Sequence, residues 1–183
     1  MMTRRVRLVS VLASVSAVVA LVATAPAHAA TGGPGKFEQA QVGLTYTVYA
    51  PSTTAGLKRT SFALEGCGGG LDEFITANFG HQTSGKAWIA LNEFEKYCID
   101  GPDGVGPAAT VTVKGAKATI MGACAGGKST CASATRASVV KSGYTTVTLP
   151  GANGLKSTDI EVYTTGLTIA QIRAFLQGLH PVG

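Results

Sequence analysis

Histidine, serine and carboxylate side chains, which together perform hydrolysis in many enzymes, are scattered along this chain. His81 lies mid-chain and His180 lies close to the C-terminus. A nucleophile needs a neighbouring base and a third group that orients the base, and no serine stands in the Gly-x-Ser-x-Gly pattern. We therefore predict no catalytic residues, and a small secreted hydrolase remains the second alternative to a binding function.

The candidate metal ligands are also poorly spaced. Glu93 and Glu95 precede an Asp-Gly-Pro-Asp-Gly segment at 100–104, but an EF-hand calcium loop needs a longer ligand series that ends in glutamate. This segment is typical of a turn. No Cys-x-x-Cys pair occurs and the histidines have no zinc-ligand spacing, so we expect no metal and no cofactor.

The chain contains four cysteines. In an exported protein an even number of cysteines predicts disulfides. Three pairings are possible, and we favour Cys67 with Cys98 and Cys124 with Cys131, because each pair then lies within one half of the chain.

The second of these disulfides would close a small ring around Lys128 and Ser129. A lysine held in such a ring can enter a trypsin-like specificity pocket at little entropic cost. The ring has adjacent glycines and no proline, which leaves it poorly preorganised. A secreted protease inhibitor that presents Lys128-Ser129 is therefore the first alternative to a binding function. A hairpin loop closed by the disulfide, without an inhibitory role, is the simpler interpretation.

The first 30 residues have the layout of a secretory signal peptide. Arginines at positions 4, 5 and 7 precede an uncharged run over 8–23, and an Ala-x-Ala pattern follows. Such a segment is removed during export, so we expect cleavage after residue 29 or 30 and a secreted, extracellular protein. The adjacent arginines leave general secretory and twin-arginine export both open.

The segment after the signal is expected to carry no membrane anchor. The first cysteine, Cys67, lies far from the apolar run and so offers no site for a lipid, and three serines interrupt that run. We therefore divide the chain into a signal peptide over 1–30, a flexible leader over 31–40 and a single globular domain over 41–183.

The basic charge of the chain comes largely from the signal segment. The formal net charge of +5 falls to +2 once its three arginines are removed. Nucleic acid binding needs a clustered basic face, and Lys58-Arg59 is the only adjacent basic pair after the signal. We therefore exclude nucleic acid as a partner.

Alternating apolar residues predict short strands in the first half of the globular region. The pattern is clearest over 44–50, where every second residue is apolar, and it recurs over 60–65. Two further strands are predicted over 75–79 and 87–91. A period of two is typical of half-buried strands. The 24 glycines of the chain, all after residue 30, add turns between them.

The second half predicts a hairpin over 109–113 and 116–120, with a turn at Lys114-Gly115, and then strands over 145–149 and 159–163. Ile160 and Val162 are expected on the face opposite Asp159 and Glu161.

A helix is predicted over 168–179. Its isoleucines and leucines fall on one stripe, and Thr168 with Gln171 has the form of a capping box. Gly178 and Pro181 suit its termination.

Three segments together resemble a bacterial extracytoplasmic domain of unknown function. They are Thr-Val-Lys-Gly-Ala-Lys-Ala-Thr at 112–119, Tyr-Thr-Thr-Val-Thr-Leu at 144–149 and Ile-Glu-Val-Tyr-Thr-Thr-Gly-Leu-Thr at 160–168, before the last helix. That family is similar in fold to lipoprotein carriers of the LolA type. The resemblance implies a strongly curved antiparallel sheet with helix on its concave side.

The fold prediction is thus α+β, with a curved, mainly antiparallel sheet of about six to eight strands and one packed C-terminal helix. The resemblance implies an apolar groove between sheet and helix, and Tyr46, Trp88 and Phe175 are candidates for its lining. The predicted function is a secreted, non-enzymatic binding protein. Its partner would be a small apolar ligand, such as a lipid or envelope component, a peptide or an extracellular protein.

Overall fold

A computed structural model describes residues 35–66, 73–83, 85–96, 105–124 and 136–183. The predicted signal peptide lies outside these residues, so export stays a prediction. The disulfide pairings and the inhibitory loop also stay predictions, because most of their residues lie outside the described ranges: Cys67, Cys98, Lys128, Ser129 and Cys131. Of the fourth cysteine, Cys124, only the backbone is described.

The described residues form two helices and ten strands. The helices are α1 (Gly35–Gln41) and α2 (Ile169–Gln177). The strands are β1 (Tyr49–Pro51), β2 (Arg59–Gly66), β3 (Glu73–Gly80), β4 (Trp88–Phe94), β5 (Gly106–Val113), β6 (Ala116–Cys124), β7 (Val139–Leu149), β8 (Thr158–Thr165), β9 (Leu167–Thr168) and β10 (Leu179–Pro181).

The main sheet joins two antiparallel meanders. Its strand order is β2-β3-β4-β8-β7-β6-β5, and the short β9 pairs with the beginning of β7. β4 and β8, which are far apart in the chain, pair at the centre. β1 and β10 form a separate two-stranded sheet. The expectation of an α+β fold with a mainly antiparallel sheet is therefore confirmed.

The hairpin of β5 and β6 turns at the two predicted residues. Lys114 and Gly115 have φ angles of 48° and 86°. Positive φ at both central positions is the mark of a type I′ turn, whose twist matches that of the flanking strands. The turn sets Val113 opposite Ala116, and this register continues as far as Ala109 opposite Ile120, before a bulge shifts it between Ala109 and Pro107.

Both helices pack on one face of the main sheet. Phe79 of β3 meets Phe175 of α2 edge to face, with ring centroids 6.0 Å apart. Phe37 of α1 meets Phe62 of β2 in the same way at 4.9 Å. The core between them is apolar and continuous, and its burial stabilises the fold.

The residues that cap helix α2 are the ones that the sequence predicts. Thr168 is its N-cap and forms a capping box with Gln171, and Gly178 is its C-cap. The helix is shorter than the predicted 168–179, because Leu179 already belongs to β10 and pairs with Pro51.

The N-terminal part of the domain differs from the prediction. The segment at 35–41, most of which was expected in the flexible leader, is the helix α1, because Phe37 and Ala40 are buried in the core. The predicted strand over 44–50 shortens to Tyr49–Pro51. Its earlier residues bond instead to Lys156 in the loop before β8. The N–H of Thr47 donates to the carbonyl of Lys156, and the N–H of Lys156 donates to the carbonyl of Thr45.

A carboxyl group lies inside this core. Glu93 of β4 has no solvent exposure. Its Oε2 accepts a hydrogen bond of 2.8 Å from the backbone N–H of Tyr49, while its Oε1 has no partner within the described ranges. Burial therefore raises the pKa of Glu93 well above its ordinary value, and the Tyr49 hydrogen bond offsets only part of this effect.

Replacing Leu176 with aspartate tests the packing of α2. Leu176 is fully buried, so Leu176→Asp loses apolar contacts and introduces a charge into the core. We expect a loss of more than about 3 kcal/mol in the free energy of unfolding, measured by urea denaturation. The control Gln177→Asp changes an exposed neighbour and should lose less than about 1 kcal/mol. Equal losses in both variants would show that α2 is placed wrongly.

Replacing Glu93 with glutamine tests the buried carboxyl. Its pKa is raised in the folded state, so the folded protein binds more protons than the unfolded chain between the two pKa values. Wild-type stability must therefore fall as pH rises above the unfolded value of about 4.5. Glu93→Gln removes this loss. The unfolding free energy of the variant minus that of the wild type should therefore increase by at least about 1 kcal/mol from pH 4 to pH 7. A difference that does not change with pH contradicts this.

Candidate functional site

The three residues predicted to line a ligand groove do not meet on one surface. Phe175 is fully buried and Tyr46 is 2% exposed, both within the core. The hydroxyl of Tyr46 donates to the backbone carbonyl of Glu93 at 2.9 Å. Trp88 is half-buried on β4, and strand alternation places it on the face away from the helices. Their contact with a ligand stays a prediction.

A groove does lie between the sheet and the C-terminal helix, at the β5 edge. Its volume is about 460 Å³, within the range of ~300–1,000 Å³ that small-molecule sites occupy. Four consecutive β5 residues, 107–110, form one wall, and Ile169 and Arg173 of α2 form another. Thr119 of β6 and Arg136, which precedes β7, complete the described lining.

Backbone hydrogen bonds hold the two arginines of the groove near one another. The N–H of Ala170, in the first turn of α2, donates to the carbonyl of Arg136 at 3.0 Å. The neighbouring N–H of Ile169 donates to the carbonyl of Ser138 at 3.1 Å. Arg173, in the middle of α2, follows Ala170 by less than one helical turn, so the carbonyl of Arg136 lies within about one turn of Arg173 along the helix.

The charges of the groove are unbalanced. Its described lining contains two arginines and no carboxylate, and neither arginine forms a salt bridge within the described residues. The first turn of α2 contains no acidic residue, so the positive end of the helix dipole is also uncompensated there. The site therefore favours a negatively charged ligand.

One arginine that lines the groove has a buried donor. The Nε of Arg173 is shielded from solvent and has no hydrogen-bond partner among the described residues. A buried donor without a partner costs roughly 1–3 kcal/mol. The first three amides of α2 cannot bind an anion in its place, because they already bond to Ser138, Arg136 and the Thr168 side chain.

The apolar side of the groove suits a short hydrocarbon. Pro107, Ala108, Ala109 and Ile169 lie beside the arginines. The site thus combines a positively charged part with an apolar wall, which is the usual composition of sites that both bind and orient a small ligand.

A second polar cluster lies on the opposite face of the sheet. Glu161 of β8 was expected on a solvent face but has no exposure, because aromatic neighbours surround it. The hydroxyl of Tyr144 donates to its Oε1 at 2.9 Å. Burial raises the pKa of Glu161, and the side chains of Tyr144, Asn92 and Tyr163 lower it in part. Tyr144 and Tyr163 pack with ring centroids 5.0 Å apart, so this cluster is filled by its own side chains.

The sequence interpretation missed both arginines of the groove. Arg173 had a usable signal, since it directly follows Ile172 on the flank of the apolar stripe of α2 and lies one turn after Ile169. Arg136 had none, because its position depends on how β7 and α2 meet.

Within the described residues, no group of three or more histidine, cysteine or acidic side chains is placed to hold a metal ion. No helix in the same ranges is long and apolar enough to cross a membrane.

Comparisons with known proteins do not assign the chain to a class. No protein family, no curated protein and no solved structure matches it. The function must therefore be argued from the groove.

Replacing Arg173 with methionine tests whether this arginine serves the fold. Methionine keeps a long flexible stem and removes the buried donor that has no partner. We expect the free energy of unfolding to stay unchanged or to rise by up to about 1 kcal/mol, measured by urea denaturation. A loss of more than about 1.5 kcal/mol would contradict this, because it would mean that the folded protein itself needs the guanidinium.

Proposed function

We propose that this protein is a secreted binding protein whose groove between β5 and α2 takes a ligand with a negatively charged group and a short apolar part. The Nε of Arg173, which is buried and has no partner in the part of the chain that the structure describes, carries this proposal. A fold that keeps such a donor loses stability, and an anionic ligand restores the missing hydrogen bond.

The surroundings of Arg173 support the same ligand chemistry. Arg136 adds a second arginine to the lining of the groove, and arginine binds carboxylate and phosphate through paired N–H groups. The apolar wall of proline, alanine and isoleucine provides contact for a hydrocarbon next to the charged group. The ligand is therefore an amphiphile and not a purely apolar molecule.

The proposed export of the protein rests on its N-terminal segment. Its basic start, apolar run and Ala-x-Ala pattern support export, which would expose the groove to extracellular or envelope ligands. The resemblance to extracytoplasmic domains with a lipoprotein-carrier-like fold fits this setting, and fold likeness alone does not define a ligand.

Calorimetric titration with octanoate and octanol tests the proposal. The two probes share an alkyl chain and differ in charge, so we expect octanoate to bind at least about tenfold more tightly. The double variant Arg136→Gln/Arg173→Met should abolish this difference, because it removes both guanidinium groups.

Lys58→Gln is the matched control for that titration. It also removes a positive charge, from an exposed side chain just before β2 at the far edge of the sheet, and should leave both affinities unchanged. The proposal fails if octanol binds as tightly as octanoate, or if Lys58→Gln weakens octanoate as much as the double variant does.

A further inference from the structure

The outer edge of β5 offers backbone groups to a partner. β5 is the terminal strand of the main sheet, and no other described strand pairs with its outer edge. The two-residue turn makes Val113 and Ala116 a hydrogen-bonded pair, and such pairs alternate along an antiparallel ladder. The register then directs the N–H and C=O groups of Thr110 and Thr112 away from β6.

The groove runs along this same strand. One wall is the stretch 107–110 of β5, and the facing wall is formed by Ile169 and Arg173, one turn apart on α2. A slot between an edge strand and a helix is a general geometry for peptide binding, in which the peptide adds a strand to the sheet and uses pockets for alternate side chains.

We propose that the ligand of the groove is the free C-terminus of an extended peptide, which pairs with the outer edge of β5 while Arg136 and Arg173 bind its terminal carboxylate. This inference rests on the proposed function and specifies its ligand class. Charge complementarity selects a chain end over an internal peptide segment, because only the end adds a carboxylate to the backbone.

The registers of the strands give the direction of the peptide. Arg136 precedes β7, whose residue Val140 pairs with Cys124 at the end of β6. The end of β6 in turn lies opposite Gly106 at the start of β5. The arginines are therefore near the start of β5, so a peptide whose carboxylate reaches them runs antiparallel to β5.

Pro107 marks the place where the peptide ends. Proline has no N–H and cannot continue a ladder of backbone hydrogen bonds. The bulge between Ala109 and Pro107 makes Pro107 the next outward position after Thr112 and Thr110. A paired strand can therefore use the outward groups of Thr112 and Thr110 and then meets Pro107, which lines the groove with the arginines. The last residue of the peptide should be small and apolar, since it lies against Ala108, Ala109 and Ile169.

Amide hydrogen exchange with a designed hexapeptide tests the inference. The peptide is acetylated, alternates valine with threonine and lysine, and ends in valine with a free carboxylate. We expect it to slow exchange at the amides of Thr110 and Thr112 at least about tenfold, while Val111 and Val113 serve as internal controls because they bond to β6. The same peptide with a C-terminal amide should bind at least about tenfold more weakly.

Octanoate separates this inference from the proposed function. It has the charge and the apolar part but no backbone, so it should bind in the groove without protecting Thr110 or Thr112. Two outcomes would show that the further inference is wrong while the anion site stands. In the first, octanoate binds but the peptide leaves the amides of Thr110 and Thr112 unprotected. In the second, octanoate binds but the amidated peptide binds as tightly as the peptide with a free carboxylate. If neither probe binds, both proposals fail.

The variant Thr112→Pro supplies an independent check. Thr112 is exposed and its N–H points away from β6, so proline there should leave the β5–β6 ladder intact and block an added strand. We expect peptide affinity to fall at least about tenfold and octanoate affinity to stay the same, with Thr112→Ala as the matched control. If Thr112→Pro folds and its peptide affinity is unchanged, the inference is overturned. If this variant does not fold, the exchange measurement on the wild type decides the inference.

Discussion

The pairing of β4 with β8 is the interaction on which the rest of the structure depends. It runs from Trp88 opposite Thr165 to Phe94 opposite Asp159, and it joins the meander β2-β3-β4 to the meander β5-β6-β7-β8. Because β8 leads through β9 into α2, this pairing also sets the helix on the sheet. β10 then returns to β1 and fixes the chain near the first helix. The same helix that covers the core also lines the groove beside β5, the last strand of the main sheet among the described residues.

The parts of the fold that depend on local sequence could be predicted. Lys114-Gly115 turns the hairpin because the turn type needs positive φ at both positions, and Thr168 caps α2 because its side chain lies next to the amide of Gln171. The β4–β8 pairing could not be predicted, since its partners are far apart and alternation alone selects no neighbour. Helix α1 was missed because its stability comes from burial of Phe37 and Ala40 in a core that the local sequence does not reveal.

The lining of the groove could not be predicted from the sequence. An apolar, ligand-binding groove lined by aromatic residues stays a prediction, and the described lining of the groove at the β5 edge contains Arg136 and Arg173 instead. Aromatic side chains such as Tyr46 and Phe175 are buried in the core instead, as their size and hydrophobicity favour. Glu161 was expected on the face opposite the core and is buried there, and Glu93 is buried within the core. At these positions the environment, and not the residue type, determines the state of the charge.

A crystal structure of the protein grown with octanoate tests the central claim most directly. The account predicts the carboxylate within hydrogen-bond distance of the Nε of Arg173, about 2.7–2.9 Å for such a charged pair, with the alkyl chain against Ile169 and Ala109. Octanoate bound at another place on the protein, or a groove without it at saturating concentration, would contradict the account.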